Sequence, residues 1–170
     1  MAGGNDCARR VAEYVAEHRG RYDLVVTTQD WHVDPGHHFS ETPDFVDTWP
    51  PHGVAGSAEA ELHPALTGIH ADAAVRKGQY AAAYSGFEGV TEDGSTLVDV
   101  LAAHAVTCVD VVGLAESHCV KETALDAVRA GLDVRCLTDL TVPVTAEQGA
   151  AAREAMSAAG VQLVRSADLG

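Results

Sequence analysis

The sequence predicts an α/β fold: a three-layer α/β/α arrangement around a mostly parallel sheet, in one domain covering residues 1–170. Three observations carry this. Short β-branched runs alternate with segments of helical period, which is the pattern of crossover units on a parallel sheet. The stretch from Thr107 to Leu137 holds one complete unit. It has a strand-like run, Cys108-Val-Asp-Val-Val-Gly-Leu114, then a helical stretch with Val120, Ala124, Leu125, Ala127 and Val128 recurring up to Gly131, then a second strand at Val134–Leu137. Finally, 46% of the residues are apolar, enough to build a sizeable core and too many for a disordered chain.

Taken in order, Asn5 is placed to cap a helix over about 6–18, with Val11, Tyr14 and Val15 on one face and Gly20 past its end. Tyr22–Thr28 reads as the first strand. Residues 29–70 are rich in His, Pro, Asp and Gly and show little periodicity, and a loop that long inside a compact domain is usually functional. Ala73–Lys77 reads as a strand, and Ser95 as the cap of a helix through His104. After the crossover unit, Thr145 caps an alanine-rich helix to about Ala159, and Val161–Val164 is the last strand. One element is absent from this pattern. A doubly wound sheet opens on a strand, and its first helix is the crossover leaving it, yet Met1-Ala-Gly-Gly runs straight into a helix. The expectation is a sheet without its first strand, in an N-terminally truncated domain.

The formal charge of −14 argues against a nucleic-acid backbone or an anionic membrane as partner. No apolar run approaches the roughly 20 residues needed to span a bilayer. No basic segment followed by an apolar one marks a secretory signal. The four cysteines, Cys7, Cys108, Cys119 and Cys136, form no CxxC pair and read as reduced thiols of a cytoplasmic protein, with Cys108 and Cys136 in the core.

Cys119 sits where a helix begins, just past the carboxyl end of a strand, the edge at which open α/β sheets bind ligands. Free amides and the positive end of the helix dipole would stabilise a thiolate or an oxyanion there, while the plain alternative is a small buried apolar residue. Asp30-Trp-His32 follows the first strand, and His38 and His52 lie in the same loop. A strand continuing through Asp30 would point Asp30 and His32 to one face, and imidazoles with a carboxylate suit Zn²⁺, Fe²⁺ or Mn²⁺. Solvated loop histidines are the competing reading, with His37 the clearest bystander. Lys77, at a strand end before Gly78, could pair with a thiolate or be an ordinary surface lysine. Trp31, Trp49, Tyr84 and Phe87 gather in the same segments, as a flat aromatic ligand or simple core packing would require.

These residues resemble one family. Thr28–Ser40, Trp49-Pro-Pro-His52, Glu61-Leu-His-Pro64, Lys77-Gly, Tyr84-Ser-Gly-Phe-Glu-Gly89 and Val111–Val120 look like the successive motifs of nicotinamidase/pyrazinamidase, a branch of the isochorismatase-like cysteine hydrolases. The resemblance implies hydrolysis of nicotinamide to nicotinic acid and ammonia, and of pyrazinamide likewise, through a cysteine thioester, in NAD salvage. It implies Cys119 as nucleophile, Lys77 supporting the developing charge, and an oxyanion hole from the amides of Ala115 and Cys119, with a cis peptide at Leu114–Ala115. One divalent ion (Zn, Fe or Mn) on Asp30, His32, His38 and His52 would take the pyridine nitrogen and polarise a water. Trp49, Tyr84 and His118 would line the ring site. The protein would act as a monomer or homo-oligomer on a small-molecule substrate.

The sequence also departs from that pattern. The family's triad is Asp, Lys and Cys, with its Asp at the end of the first strand, and no matching motif is present; an aromatic ring-stacking residue goes with it. Asp6, Asp23 and Asp34 are not on the right strand to substitute. Gly53 replaces a frequent cysteine, and Glu116-Ser117 replaces a small residue and Asp. Two expectations follow from the missing strand: a longer active enzyme, favoured because the other site residues are present, or a metal-binding relative without turnover. A hydrolase acting on another amide or on isochorismate is the remaining alternative.

Overall fold

The computed structural model describes residues 1–169. Its elements are α1 (Gly4–His18), β1 (Val26–Asp30), β2 (Ala73–Lys77), α2 (Leu97–Ala103), β3 (Cys108–Leu114), α3 (Lys121–Arg129), β4 (Asp133–Val142), α4 (Ala146–Ala158) and β5 (Gln162–Val164). All strand pairings are parallel, but they form two sheets: β1 with β2, and β3-β4-β5 in that order. No helix of the described residues is long and apolar enough to cross a membrane.

Helices cover both faces. On one, Ala124 and Ala127 of α3 and Met156 of α4 pack on Val134 and Cys136 of β4. On the other, Cys7, Val11 and Tyr14 of α1 pack on Leu137 and Leu140 of β4. The small alanines let α3 and α4 approach the sheet closely, which is why an alanine-rich sequence still builds a dense interior. Val75 of β2 is capped by Leu97 and Leu101 of α2.

Several expected boundaries move. β1 lies at Val26–Asp30 and not Tyr22–Thr28, because its ends are set by pairing with β2, from Val26 opposite Ala73 to Asp30 opposite Lys77. Val25 instead donates its amide to the Asp72 carboxylate at 2.7 Å. The first helix starts behind Gly3, at φ 76°, and not Asn5. Thr96 and not Ser95 caps α2, in a reciprocal capping box with Asp99. β4 runs past Leu137 to Val142. Thr145 does cap α4, accepting from the Gln148 amide. Cys136 is fully buried as expected, but Cys108 is exposed, since it stands on β3, an edge strand that among the described residues pairs with β4 alone. Burial first, then the charge of Glu116, pushes the Cys136 thiol up to about 12.

Leu137 is fully buried between α1 and β4. Leu137→Ala is expected to cost about 2–5 kcal/mol in denaturant unfolding through the cavity it leaves. In the same measurement Val98→Ala, at an exposed position of α2, should stay within about 0.5 kcal/mol.

Candidate functional site

The carboxyl ends of the two sheets meet at Lys77. Its ammonium is almost wholly buried, contacts the Asp30 carboxylate, donates to the Ala83 carbonyl at 3.2 Å and lies 3.5 Å from Cys119 Sγ. Asp30 and Lys77 are register partners at the ends of β1 and β2, so the pairing of two short strands creates this contact between residues far apart in sequence.

Burial works against the Lys77 ammonium, but Cys119 and Asp30 more than offset it and hold its pKa above the ordinary lysine value. Burial likewise pushes the Asp30 carboxyl up, yet Lys77, then His32 and His52, bring it below the usual carboxylate range. For Cys119, burial dominates: the thiol is raised, and the pull of Lys77 does not cancel it. The helix-end effect expected from the sequence is thus outweighed by desolvation.

Cys119 lies in a single π-type turn, Glu116–Val120, that leads into α3 and follows a cis peptide at Leu114–Ala115. The turn is fastened at Glu116, which is fully buried, accepts from Thr141 Oγ1 and pairs with Arg153 Nε at 2.9 Å. Ser117 Oγ accepts from the Val144 amide at 3.1 Å and touches His118 Nδ1 at 3.0 Å. Sequence reasoning missed Thr141 and Arg153 as supports of the Cys119 turn. They lie 25 and 37 residues from Glu116, with no local pattern to announce them.

The long loop is folded back on itself by backbone bonds. The His32 amide donates to Gly53 O and the Ala55 amide to His32 O; the Trp49 amide donates to His38 O and the Ser40 amide to Trp49 O. Those ties bring His32, His38 and His52 together, with one nitrogen of each within 4.8 Å of the others. Asp30 is outside that group: its Oδ1 is 4.0 Å from His32 Nε2 and is engaged with Lys77. His32 Nδ1 donates to the Gly78 carbonyl at 2.7 Å, and His52 Nδ1 to the Pro50 carbonyl at 2.9 Å, which leaves the other nitrogen of each ring as an acceptor. His32 Nε2 and His38 Nδ1 are buried polar atoms with no hydrogen-bond partner among the described residues. Burial lowers the pKa of both rings, so they stay in the neutral form a metal ion requires. His37 is exposed.

Three rings stand beside this cluster. Trp49 Nε1 donates to Tyr84 Oη at 2.9 Å, and Tyr84 Oη to the Val46 carbonyl at 3.0 Å. His118 lies 5.1 Å from the Trp49 ring and 5.4 Å from the Tyr84 ring. Glu88 Oε2 accepts from the amides of Tyr84 and Ser85, which pins the Tyr84 backbone. Phe87, by contrast, packs in the core, and Trp31 carries the Arg76 guanidinium 3.8 Å above its ring.

The parallel α/β fold and this thiol–lysine–carboxylate contact beside three histidines define a protein of the α/β hydrolytic class. Residues 2–168 match the Isochorismatase domain, and the chain belongs to that family. It is 49% identical over 166 residues to a nicotinamidase/pyrazinamidase of Mycobacterium tuberculosis, covering 98% of this chain and 89% of that one. Among solved structures it resembles a pyrazinamidase of Pyrococcus horikoshii in complex with zinc, with TM-score 0.82, 31% identity, and 97% and 88% of the two chains covered. It also resembles a protein of L. infantum in complex with nicotinate, with TM-score 0.79, 31% identity, and 98% and 83% covered.

Gly78 has φ +73°, and a Cβ there would stand 2.5 Å from His32 Cε1. Gly78→Ala is therefore expected to push the His32 ring out of the cluster and weaken zinc binding by roughly 10- to 100-fold in a competition titration. Gly56→Ala, at φ +77° with nothing near, should leave zinc affinity unchanged.

Proposed function

We propose that this protein is an amidohydrolase that converts nicotinamide to nicotinic acid and ammonia, and pyrazinamide to pyrazinoic acid, through a thioester on Cys119, as a step of NAD salvage in the cytoplasm. The observation that carries this reading is the Cys119 Sγ at 3.5 Å from the buried Lys77 ammonium, at the foot of the Trp49–Tyr84–His118 wall. The curated relatives from M. tuberculosis and Escherichia coli, named nicotinamidases, support the substrate class.

In this reading Trp49, Tyr84 and His118 offer one aromatic surface to a flat heteroaromatic ring whose carboxamide faces Cys119. Sγ attacks the carboxamide carbon; the C–S bond forms and the carbonyl π pair moves to oxygen. The amides of Ala115 and Cys119 and the charge of Lys77 hold that oxygen. Collapse breaks the C–N bond, and the leaving nitrogen takes the thiol proton by way of a carboxylate. Water then cleaves the thioester, releases the acid and restores the thiol, so one amide and one water give one acid and one ammonia.

A divalent ion fits His32, His38 and His52, because two of their buried nitrogens have no other partner. Asp30 would complete the set by turning from Lys77. Zinc, iron and manganese all suit such ligands. Bound there, the ion would supply a Lewis acid for the ring nitrogen of the substrate.

The division of the strands into two sheets favours one second reading, a metal-binding relative without turnover, since the resemblance gives the proton acceptor to a strand these residues lack.

Ammonia release from nicotinamide by the metal-loaded chain is the direct test. Cys119→Ala is expected to lower it by at least about a thousandfold. Chelation of the metal should lower it too. Full turnover by Cys119→Ala would remove the thioester route. Absence of turnover from folded, metal-bound protein would favour the second reading.

A further inference from the structure

The donors of the aromatic wall are nearly all committed. Trp49 Nε1 donates to Tyr84 Oη, and Tyr84 Oη gives its own proton to the Val46 carbonyl. Neither ring has a donor left for a ligand. His118 is the third member, edge-on to Trp49 and tilted against Tyr84. Its Nδ1 lies 3.0 Å from Ser117 Oγ. Its Nε2 has no hydrogen-bond partner among the described residues and is not one of the polar atoms sealed from solvent. What His118 offers a ligand therefore depends on which nitrogen carries the ring proton.

Ser117 decides that. Its side chain is buried, so its hydroxyl hydrogen needs an acceptor inside the protein. The Val144 amide donates to Oγ at 3.1 Å, and a backbone N–H cannot reverse that role. Val144 is itself fixed, since it stands between the end of β4 and Thr145, whose side chain caps α4. Oγ already serves as an acceptor on that side. Among the described residues the acceptor in reach of its hydrogen is His118 Nδ1. Donation the other way, from Nδ1–H to Oγ, would give the oxygen two incoming donors and leave its hydrogen buried without an acceptor, which costs more than an average hydrogen bond gains. The imidazole has one proton to place: burial first, then the charge of Lys121, lowers its pKa and keeps the ring neutral. With Nδ1 accepting, that proton sits on Nε2.

We propose that Ser117 is a positioning residue that holds His118 in its Nε2–H form, so that the aromatic wall presents one directed donor and selects a flat heteroaromatic ligand with an acceptor atom, a carbonyl oxygen or an unprotonated ring nitrogen, at the His118 edge. The donations run in one direction: Val144 N–H to Ser117 Oγ, Ser117 O–H to His118 Nδ1, and His118 Nε2–H to the ligand. In the opposite tautomer a lone pair on Nε2 would face the ligand's acceptor, and the site would reject it. The ligand half of this proposal rests on the amidohydrolase reading; the Ser117–His118 half rests on the geometry of the Cys119 turn.

Two measurements on the zinc-loaded full chain test it. The first is the long-range proton–nitrogen spectrum of the imidazoles, with the His118 signals assigned by their loss in His118→Gln. The unaltered chain is expected to carry the His118 proton on Nε2. Ser117→Ala should show a mixture of the two tautomers, and Ser117→Thr, which keeps the hydroxyl, should restore Nε2–H. A proton on Nδ1 in the unaltered chain overturns the proposal, and that reading needs no variant to fold. An unchanged tautomer in Ser117→Ala overturns it as well. The second measurement is calorimetric binding of nicotinamide in a Cys119→Ala background, where no turnover intrudes. Adding Ser117→Ala is expected to weaken binding by roughly 3- to 10-fold, and Ser117→Thr to recover it. Unchanged affinity in Ser117→Ala overturns the proposal. So does equal weakening by alanine and threonine, which would mark a packing role alone. Failure of nicotinamide to bind any of these forms overturns the amidohydrolase reading and the ligand half with it, and the spectra then judge the Ser117–His118 pairing by themselves.

Discussion

A single buried ammonium ties this structure together. Lys77 ends β2 in one sheet, and Cys119 follows β3 in the other, so the contact between them joins two sheets that share no backbone ladder. A lysine taken out of water must keep its charge compensated, because an unpaired buried charge costs several kcal/mol. Asp30 supplies the opposite charge, and the Ala83 carbonyl and the Cys119 sulfur take up the remaining contacts of the ammonium. Their arrangement obliges the strands to end at the same level, and so sets where the loops that follow them must begin.

The histidine cluster is a consequence. The chain leaving β1 turns at Trp31, whose amide donates to Lys77 O, and His32 then pairs across to Gly53 and docks on Gly78 O. Both glycines allow that closeness: a Cβ at Gly53 would fall 2.7 Å from Asp30 Cβ, and both have φ in the left-handed region. Thus a glycine is required at position 53 by the backbone's approach to Asp30. Burial of the rings then lowers the pKa of His32 and His38, which keeps them neutral. One geometric demand, made at the ends of two strands, yields both the nucleophile's electrostatic environment and a set of open nitrogen donors.

What could be read from the sequence was what local chemistry specifies. The β-branched run 108–114 became β3, Ala73–Lys77 became β2, and the Thr145 cap began α4, because each signal acts within a few residues. Where a partner decides, the reading slipped. β1 starts four residues later and ends two residues later than expected because β2 sets its register, and Asn5 lost the cap of α1 to a left-handed glycine. Cys108 carries a strand-core pattern yet is exposed, since burial depends on what lies beside the strand and not on the strand itself. In the site, the residue types were legible but their distances were not. His32, His38 and His52 share a loop, and only its backbone ties bring them within 4.8 Å. The Glu116–Arg153 pair that anchors the Cys119 turn joins α4 to a turn 37 residues earlier, beyond the reach of any periodicity.

The break between the sheets and the candidate site are one feature seen from two sides. Asp30, Lys77 and Cys119 cluster at the carboxyl end of the break, where both free edges finish. A thiol there is raised by burial, and Asp30, the carboxylate paired with Lys77, also lies 4.0 Å from His32 Nε2. Asp30 therefore serves two neighbours with opposite demands: the ammonium holds its Oδ1, while a cation on the histidines would draw the same group 4.0 Å away. A second anionic partner for Lys77 would release Asp30 to the histidines. The thiol–lysine pair and the histidine cluster are thus coupled through Asp30.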